Sequence, residues 1–277
     1  MELCTEHFVR IRDVIYQKLG LFFEENKVHF IKRRIQIRMD ALGITDPAEY
    51  IFLIAHADVG GVEMQQLANL VTTNETYMFR EFEQLEAFAN YCLPEVLETK
   101  RRRGDNTLNI WSAGCSSGEE PYTLAIILRE VLPTIRNWQV QILATDIDQN
   151  MLAMVNRARY SERSVKGVPD EYRQRHLIKD GAEYVVHPET AALVVPRHLN
   201  LNDRAALRQM RGFDFVFCRN VLIYFDDKSR KTAVDHFYSA LNPGGFIFLG
   251  HSESIGRITN AFALRRLAEH LVYCKAA

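Results

Sequence analysis

Residues 107–122 read TLNIWSAGCSSGEEPY, and the order of the three pieces inside that stretch decides the fold. TLNIWSA at 107–113 reads as a short, largely apolar strand closed by a glycine. Gly114, Ser116, Ser117 and Gly118 form a turn in which the backbone can approach a ligand with little side chain in the way. Residues 119–132 then carry the apolar spacing of a helix. Toward the C-terminus the same alternation repeats. QVQILAT at 139–145 reads as a strand and 148–158 as a helix; FDFVFC at 213–218 is a third strand, 228–241 a helix, and GFIFL at 245–249 a fourth strand. Strands alternating with helices predict an α/β domain, a parallel sheet covered on both faces. Residues 160–200 break the rhythm: Tyr184-Val185-Val186 and Leu193-Val194-Val195 flank His187-Pro188-Glu189-Thr190 and read as a small inserted hairpin.

Toward the N-terminus everything reads as helix. Phe8, Ile11, Ile15 and Leu19 recur at three-to-four spacing, as do Ile31, Ile35, Met39 and Leu42, with a break at 19–23. Asp46-Pro47 starts a further helix, proline being suited to a first helical position. Phe82, Leu85, Phe88, Leu93, Val96 and Leu97 make another stripe, which ends in Lys100-Arg101-Arg102-Arg103-Gly104, a cationic helix end followed by glycine. The expected division is therefore an all-helical N-terminal domain at 1–103 and an α/β domain at 104–277, with the insertion at about 160–200.

A chain of 277 residues has room for both. With 47% hydrophobic and 25% charged residues it falls among globular proteins, and a net charge of −1 gives no overall field for nucleic acid. The start, MELCTEH, lacks the pattern of a secretory signal, and no apolar run reaches the roughly 18 residues a membrane span needs. Five scattered cysteines without a Cys-x-x-Cys pair suit reduced thiols rather than a disulfide frame or a zinc site. A cytoplasmic protein with no metal, no nucleic acid partner and no membrane insertion is expected.

In a sheet of this kind ligands bind past the carboxyl ends of the strands. The second strand ends in Asp146, and an acid there can accept hydrogen bonds from a ribose diol. The first turn is Gly-x-x-x-Gly rather than the tighter dinucleotide fingerprint, and Glu119 and Glu120 occupy the helix start where a pyrophosphate would have to sit. Two carboxylates there either complement the helix dipole or pair with a cationic ligand. S-adenosylmethionine, with its sulfonium and ammonium groups, is such a ligand.

Three further runs sharpen this: VTTNETYMFR at 71–80, WSAGCSSGEEPY at 111–122 and FDFVFCRNVLIYF at 213–225, with LNPGGF at 241–246 and Gly250-His251-Ser252-Glu253 after them. Together they resemble the CheR family of chemotaxis receptor glutamate methyltransferases, over almost the whole chain. The resemblance implies a Rossmann-like S-adenosylmethionine-dependent methyltransferase domain, a helical N-terminal domain packed over it, and a small inserted antiparallel β subdomain. It implies cofactor contacts from Asn74, Thr76, Arg80, Glu120, Asp146, Asn200, Leu201, Asn220 and Val221, with S-adenosyl-L-homocysteine as product. Each has a plain structural alternative: Asn74 as a helix cap, Arg80 as an interface ion-pair residue, Asn200 as turn chemistry, Asn220 as a strand end. Phe225 suits the core better than the site, and His251 a surface position.

The reaction implied is attack by a glutamate carboxylate on the sulfonium methyl. A glutamate is ionised at neutral pH, so no general base is required. Arg80 and Tyr224 are the candidate catalytic residues, Arg80 positioning cofactor or acceptor and Tyr224 shaping the methyl channel. A non-catalytic cofactor- or receptor-binding signalling protein is the alternative. Lys27, Arg34 and Arg38, seven and four residues apart, would share one helix face opposite Ile31 and Ile35. That face is either simply solvated or a surface for the cytoplasmic domain of a methyl-accepting receptor. Some family members bind a receptor's C-terminal pentapeptide tether through a glycine-rich hairpin. Lys179-Asp180-Gly181-Ala182-Glu183-Tyr184 has one glycine, so a tether-independent enzyme is expected.

Overall fold

The computed structural model describes residues 4–23, 27–256 and 258–276. Met1, at the head of the MELCTEH start, lies outside the described residues. The first helix, Thr5–Leu19, buries Phe8, Ile11, Ile15 and Leu19, and the second, Val28–Leu42, buries Ile31, Ile35 and Met39. Asp46 caps Pro47–Phe52 by accepting the Ala48 amide at 2.8 Å, and Asp58 caps Val62–Val71 by accepting the amides of Glu63 and Met64 at 2.9 and 2.8 Å. Residues 72–81 form a strap with no regular structure apart from a turn. Helical structure resumes with Phe82–Ala87 and runs through a single π turn into Leu93–Arg102.

Ten strands follow: β1 Thr107–Ala113, β2 Gln139–Asp146, β3 Arg159–Ser161, β4 Leu177–Asp180, β5 Glu183–Val186, β6 Val194–His198, β7 Phe213–Cys218, β8 Leu241–Leu249, β9 Phe262–Leu267 and β10 His270–Lys275. Seven build one sheet in the order β6-β2-β1-β7-β8-β10-β9, and β3-β5-β4 build a small second sheet. Neighbours from β6 to β8 are parallel; β10 runs antiparallel to both β8 and β9. The chain works outward from β1 through β2 to β6, then returns to β7 on the other side of β1. The order therefore reverses between β1 and β7, and the crevice past their carboxyl ends is where a ligand fits.

Three expectations change. Tyr184-Val185-Val186 does sit in an antiparallel sheet, but its partners are β3 and β4, while Val194–His198 joins the main sheet parallel to β2. His187-Pro188-Glu189-Thr190 lies in a short helical connection rather than a hairpin turn. The two C-terminal strands were not foreseen. Third, the helices over Phe82–Arg102, grouped by pattern with residues 1–103, pack on the sheet. Phe88 meets Phe215, Phe217 and Phe248 edge-on at 5.0, 5.3 and 6.0 Å, and Lys100 pairs with Asp105 and Asp214 at 2.8 and 3.0 Å. The pattern change at Gly104 marks a change of secondary structure, not a change of core.

The remaining N-terminal helices do not form a separate core either. Ile11, Ile35, Tyr50 and Leu67 belong to one buried cluster with Trp111, Phe213 and Phe237 from the sheet and its helix Asp227–Ala240. The opposite sheet face is buried under Phe82–Arg102 and Glu119–Val131 and continues into the insert through Tyr160 and Leu177.

Candidate functional site

The crevice holds a concave cavity, part of it open to solvent. Its base is the first turn. The amides of Gly114 and Cys115 both donate to the Thr145 carbonyl, at 2.8 and 2.9 Å, which ties the turn to the end of β2. Gly114 has φ +75°, and a Cβ there would stand 2.4 Å from a Val221 methyl. Only glycine lets this turn close against the loop after β7.

Asp146 follows from that arrangement. The Ser116 amide donates to one carboxylate oxygen and the Asp148 amide to the other, each at 2.8 Å. Burial pushes its carboxyl above the usual range and these two amides oppose the shift. A carboxylate accepts about four hydrogen bonds, so lone pairs remain for a diol.

The twin glutamates part company. Glu120 lines the cavity, accepts the Ser112 hydroxyl at 2.7 Å and faces the Arg219 guanidinium at 3.3 Å. Glu119 turns the other way, into a separate groove, where Ser117 and Ser164 donate to it at 2.6 and 3.1 Å. Of the two alternatives at the helix start, a place beside a cationic ligand in the cavity is open to Glu120 alone. Burial pushes Glu120 up and Arg219 pulls it back. Arg219, its side chain 4% exposed, also reaches Glu81 at 3.2 Å and donates to the carbonyl of Arg80. One buried guanidinium thus joins the start of helix Glu119–Val131 to the strap. Sequence reasoning passed over it, although an arginine directly after the fully buried strand β7 was the signal.

Asn220 and Val221 both line the cavity, and Asn220 sits at φ +60°. Glu253 holds that loop, accepting the amides of Asn220 and Gly250 at 2.9 and 2.7 Å and of Ile223 at 3.3 Å. From the strap, Asn74, Thr76 and Arg80 reach the same cavity. Asn74 caps no helix; its amide donates to Asp148 at 2.9 Å, and Asp148 in turn caps Gln149–Arg157. Arg80 donates to the Glu75 carbonyl at 2.9 Å, and its nearest carboxylate, Glu81, is 3.9 Å away, so its charge is only loosely engaged.

Asn200 and Leu201 complete the list of candidates in the cavity wall, but the Asn200 side chain is occupied. It accepts the Asn202 amide and donates to the Lys18 carbonyl, both at 2.8 Å, which is turn chemistry that also anchors the end of the first helix. Tyr224 lines the wall with its hydroxyl 3.5 Å from the Thr73 carbonyl. Phe225 is buried, 5% exposed, and also contributes to the cavity lining, while His251 lies on the surface. Leu19, Leu21 and Phe23 add an apolar wall that the break in helical period at 19–23 did not reveal.

On helix Val28–Leu42 the three candidate cations diverge. Lys27, just before it, is exposed, with its ammonium 5.2 Å from the Tyr224 ring centroid. Arg34 stacks on Phe30 at 4.8 Å. Arg38 does not point away from the apolar stripe: it binds both oxygens of buried Glu63 at 3.0 and 2.6 Å, and Tyr50 donates to Glu63 at 2.8 Å. Position 38 flanks Met39 and packs toward helix Val62–Val71, so its charge is already matched.

Three carboxylates (Glu75, Glu120, Asp146) and two guanidinium groups (Arg80, Arg219) line the cavity, which favours a ligand of net positive charge. The Ser116 hydroxyl is buried there without a partner. Acid for a diol, excess negative charge and an apolar wall together fit S-adenosylmethionine. Among the described residues no cluster of histidine, cysteine or acidic side chains is arranged to hold a metal ion.

Two family models cover the chain: the SAM binding domain of CheR methyltransferase matches residues 74–270 and its all-alpha domain residues 6–72. Chemotaxis protein methyltransferase 2 of Vibrio cholerae is 38% identical over 271 residues, covering 97% of this chain and 92% of that one. The chemotaxis protein methyltransferase of Escherichia coli K12 is 33% identical, covering 96% and 90%. That of Borreliella burgdorferi is 32% identical, covering 92% and 90%.

Proposed function

The chain belongs to the CheR methyltransferase family, and from that premise we propose that it esterifies glutamate side chains of methyl-accepting chemotaxis receptors. It is an S-adenosylmethionine-dependent methyltransferase. The observation that carries the finer reading is the cavity at the β1/β7 reversal, roofed by the helical part and lined by an excess of carboxylates.

S-adenosylmethionine, when bound, supplies a methyl group made electrophilic by its sulfonium. Asp146 would hold the ribose diol, and Glu120, kept in place by Ser112 and Arg219, would face the cationic part. Asn74, Thr76, Asn220, Val221 and the backbone at Asn200 and Leu201 would complete the enclosure. The acceptor carboxylate arrives ionised, so the chain moves no proton; its work is alignment and exclusion of water. Leu19, Leu21, Phe23 and Tyr224 provide the dry wall, and Arg80, with its loosely engaged charge, would orient the acceptor.

The partner in this reading is the cytoplasmic domain of the receptor, and the site of action the cytoplasm. No described helix is long and apolar enough to cross a membrane. The strands β4 and β5 are joined by a two-residue turn, Gly181-Ala182, with one glycine and no added glycine-rich residues, which supports a tether-independent enzyme. In place of a division at 103/104, we place the functional junction in the strap at 72–81, which joins the two family modules. The deciding experiment is radiolabelled methyl transfer to membranes carrying candidate receptors, read as base-labile label on the receptor. Absence of receptor-dependent label with every candidate would overturn the reading.

A further inference from the structure

Arg80 has a fixed root and a free head. Its guanidinium donates to the Glu75 carbonyl at 2.9 Å and stands 5.8 Å from the centroid of the Tyr77 ring, both on the strap itself. The main chain beneath it is tied to three other parts of the fold in three consecutive residues. The Met78 amide donates to the Ser164 carbonyl of the insert at 2.8 Å, and the Phe79 amide to the Thr123 hydroxyl of helix Glu119–Val131 at 3.0 Å. The Arg80 carbonyl accepts from Arg219, just after β7. Phe79 and Glu81, on either side of Arg80, lie at φ +59° and +54°, in the left-handed region that residues with a side chain rarely enter. Such conformations persist only where the surroundings over-determine them.

Glu81 is the part of those surroundings that reaches both guanidinium groups. Its side chain is 10% exposed, with one carboxylate oxygen 3.2 Å from Arg219 and the other 3.9 Å from Arg80. Arg219 in turn pairs with Glu120 at 3.3 Å, and Ser112 holds Glu120 from β1. Glu120, Arg219, Glu81 and Arg80 therefore form one run of alternating charge from the first strand to the strap, in which each buried charge has an opposite neighbour. Of these four, Glu81 is the one that does not line the cofactor cavity. Its contacts lie with the groups that hold Arg80.

We infer that Glu81 is a positioning residue for methyl transfer: with Arg219 it locks the strained main chain at Arg80, so that the Arg80 head group is aimed at the acceptor. The inference rests on the orienting role proposed above for Arg80. The test begins with Glu81→Gln, which keeps the shape and deletes the charge. On receptor-bearing membranes at saturating radiolabelled cofactor its kcat should fall roughly tenfold or more, since a small misplacement of an aligning group is costly. The cofactor Kd by calorimetry should stay unchanged, because Glu81 lies outside the cavity lining and Ser112 still holds Glu120. The deciding measurement is the double-mutant cycle with Arg80→Ala. A residue that acts through Arg80 should cost nothing more in kcat once Arg80 is gone. Equal losses with and without Arg80 overturn the inference, by making Glu81 merely structural. An unchanged kcat in Glu81→Gln, with Arg80→Ala impaired, also overturns it and leaves the role of Arg80 standing. A cofactor Kd weakened in step with kcat overturns it too, because the effect would then lie in the cofactor site. Should Glu81→Gln not fold, Glu81→Asp, which keeps the charge on a shorter side chain, enters the same cycle and is read the same way. A wild type inactive on every receptor, or Arg80→Ala with wild-type kcat, overturns the proposed role of Arg80 and this inference with it.

Discussion

At the scale of single residues the cavity presents two buried, partly paired carboxyls. Glu120 and Asp146 are buried carboxyls whose affinity for protons is raised by that burial. In the free protein protonation competes with a cationic ligand, and binding of that ligand stabilises the ionised forms. The sign follows: cofactor affinity should weaken as pH falls toward and through the raised carboxyl range, and binding should release protons. Calorimetry between pH 5 and 7 in buffers of different ionisation enthalpy measures both; a pH-independent Kd without proton release would remove these two residues from the site. Glu120→Gln keeps the shape and the Ser112 contact while deleting the charge. The loss of a charge-assisted contact of about 1.5–3 kcal/mol corresponds to a Kd weakened about 10- to 100-fold. Arg80→Ala should act differently, lowering kcat on receptor at saturating cofactor while the thermal midpoint stays put, since Arg80 makes no close ion pair. Equal initial rates in wild type and variant would deny it a role in catalysis. Arg219 was hidden from sequence reasoning because a charged residue acquires this meaning only through partners 99 and 138 positions away in the chain, at Glu120 and Glu81.

At the scale of elements, the ion pair between helices Val28–Leu42 and Val62–Val71 separates docking from folding. Arg38 and Glu63 have side chains 16% and 7% exposed, and Tyr50 donates to the same carboxylate. Removing one partner leaves a buried charge unmatched, so Arg38→Ala should destabilise the protein by about 3–5 kcal/mol. Lys27→Ala, at an exposed position, should stay within about 0.5 kcal/mol. Urea denaturation of the two variants measures the contrast, and similar midpoints would mean the Arg38 pair is not structural. Legibility in the sequence also divides by element. Strands β1, β2 and β7 and the helices between them could be read because their apolar patterns are dense and bounded by glycine or acid caps. The final strands could not: Ala263-Leu264-Arg265-Arg266-Leu267-Ala268-Glu269 is made of good helix formers, and only pairing of β10 against β8 overrides that preference. The insert was misassigned for a related reason. Val194-Val195 has the composition of any strand, and whether it pairs with β5 or β2 is decided by tertiary neighbours.

At the scale of the whole molecule, the cofactor roof and the sheet are parts of one core. Ile11, Ile35 and Leu67 from the helices share a buried cluster with Trp111, Phe213 and Phe237. Polar ties cross the same boundary: Tyr16 donates to Asp226 at 2.8 Å, the Phe22 amide to the Tyr224 carbonyl at 2.8 Å, and Asn202 to the Gln17 carbonyl at 3.0 Å. A helical part joined this way cannot detach without uncovering a sheet face, so unfolding should be a single cooperative event rather than two. Trp111 is a built-in reporter, fully buried under the helical part with its indole N–H bonded to the Thr145 hydroxyl at 2.8 Å. The chain has two tryptophans, and Trp138→Phe leaves Trp111 as the only one. In that variant, tryptophan fluorescence and far-ultraviolet circular dichroism should trace the same denaturant transition, and saturating cofactor should move both by the same amount. A circular dichroism loss that precedes the Trp111 change would show the helices leaving first and would make the roof a separable lid. Coincident curves would mean that the helices, the sheet and the cofactor site between them fold as one unit.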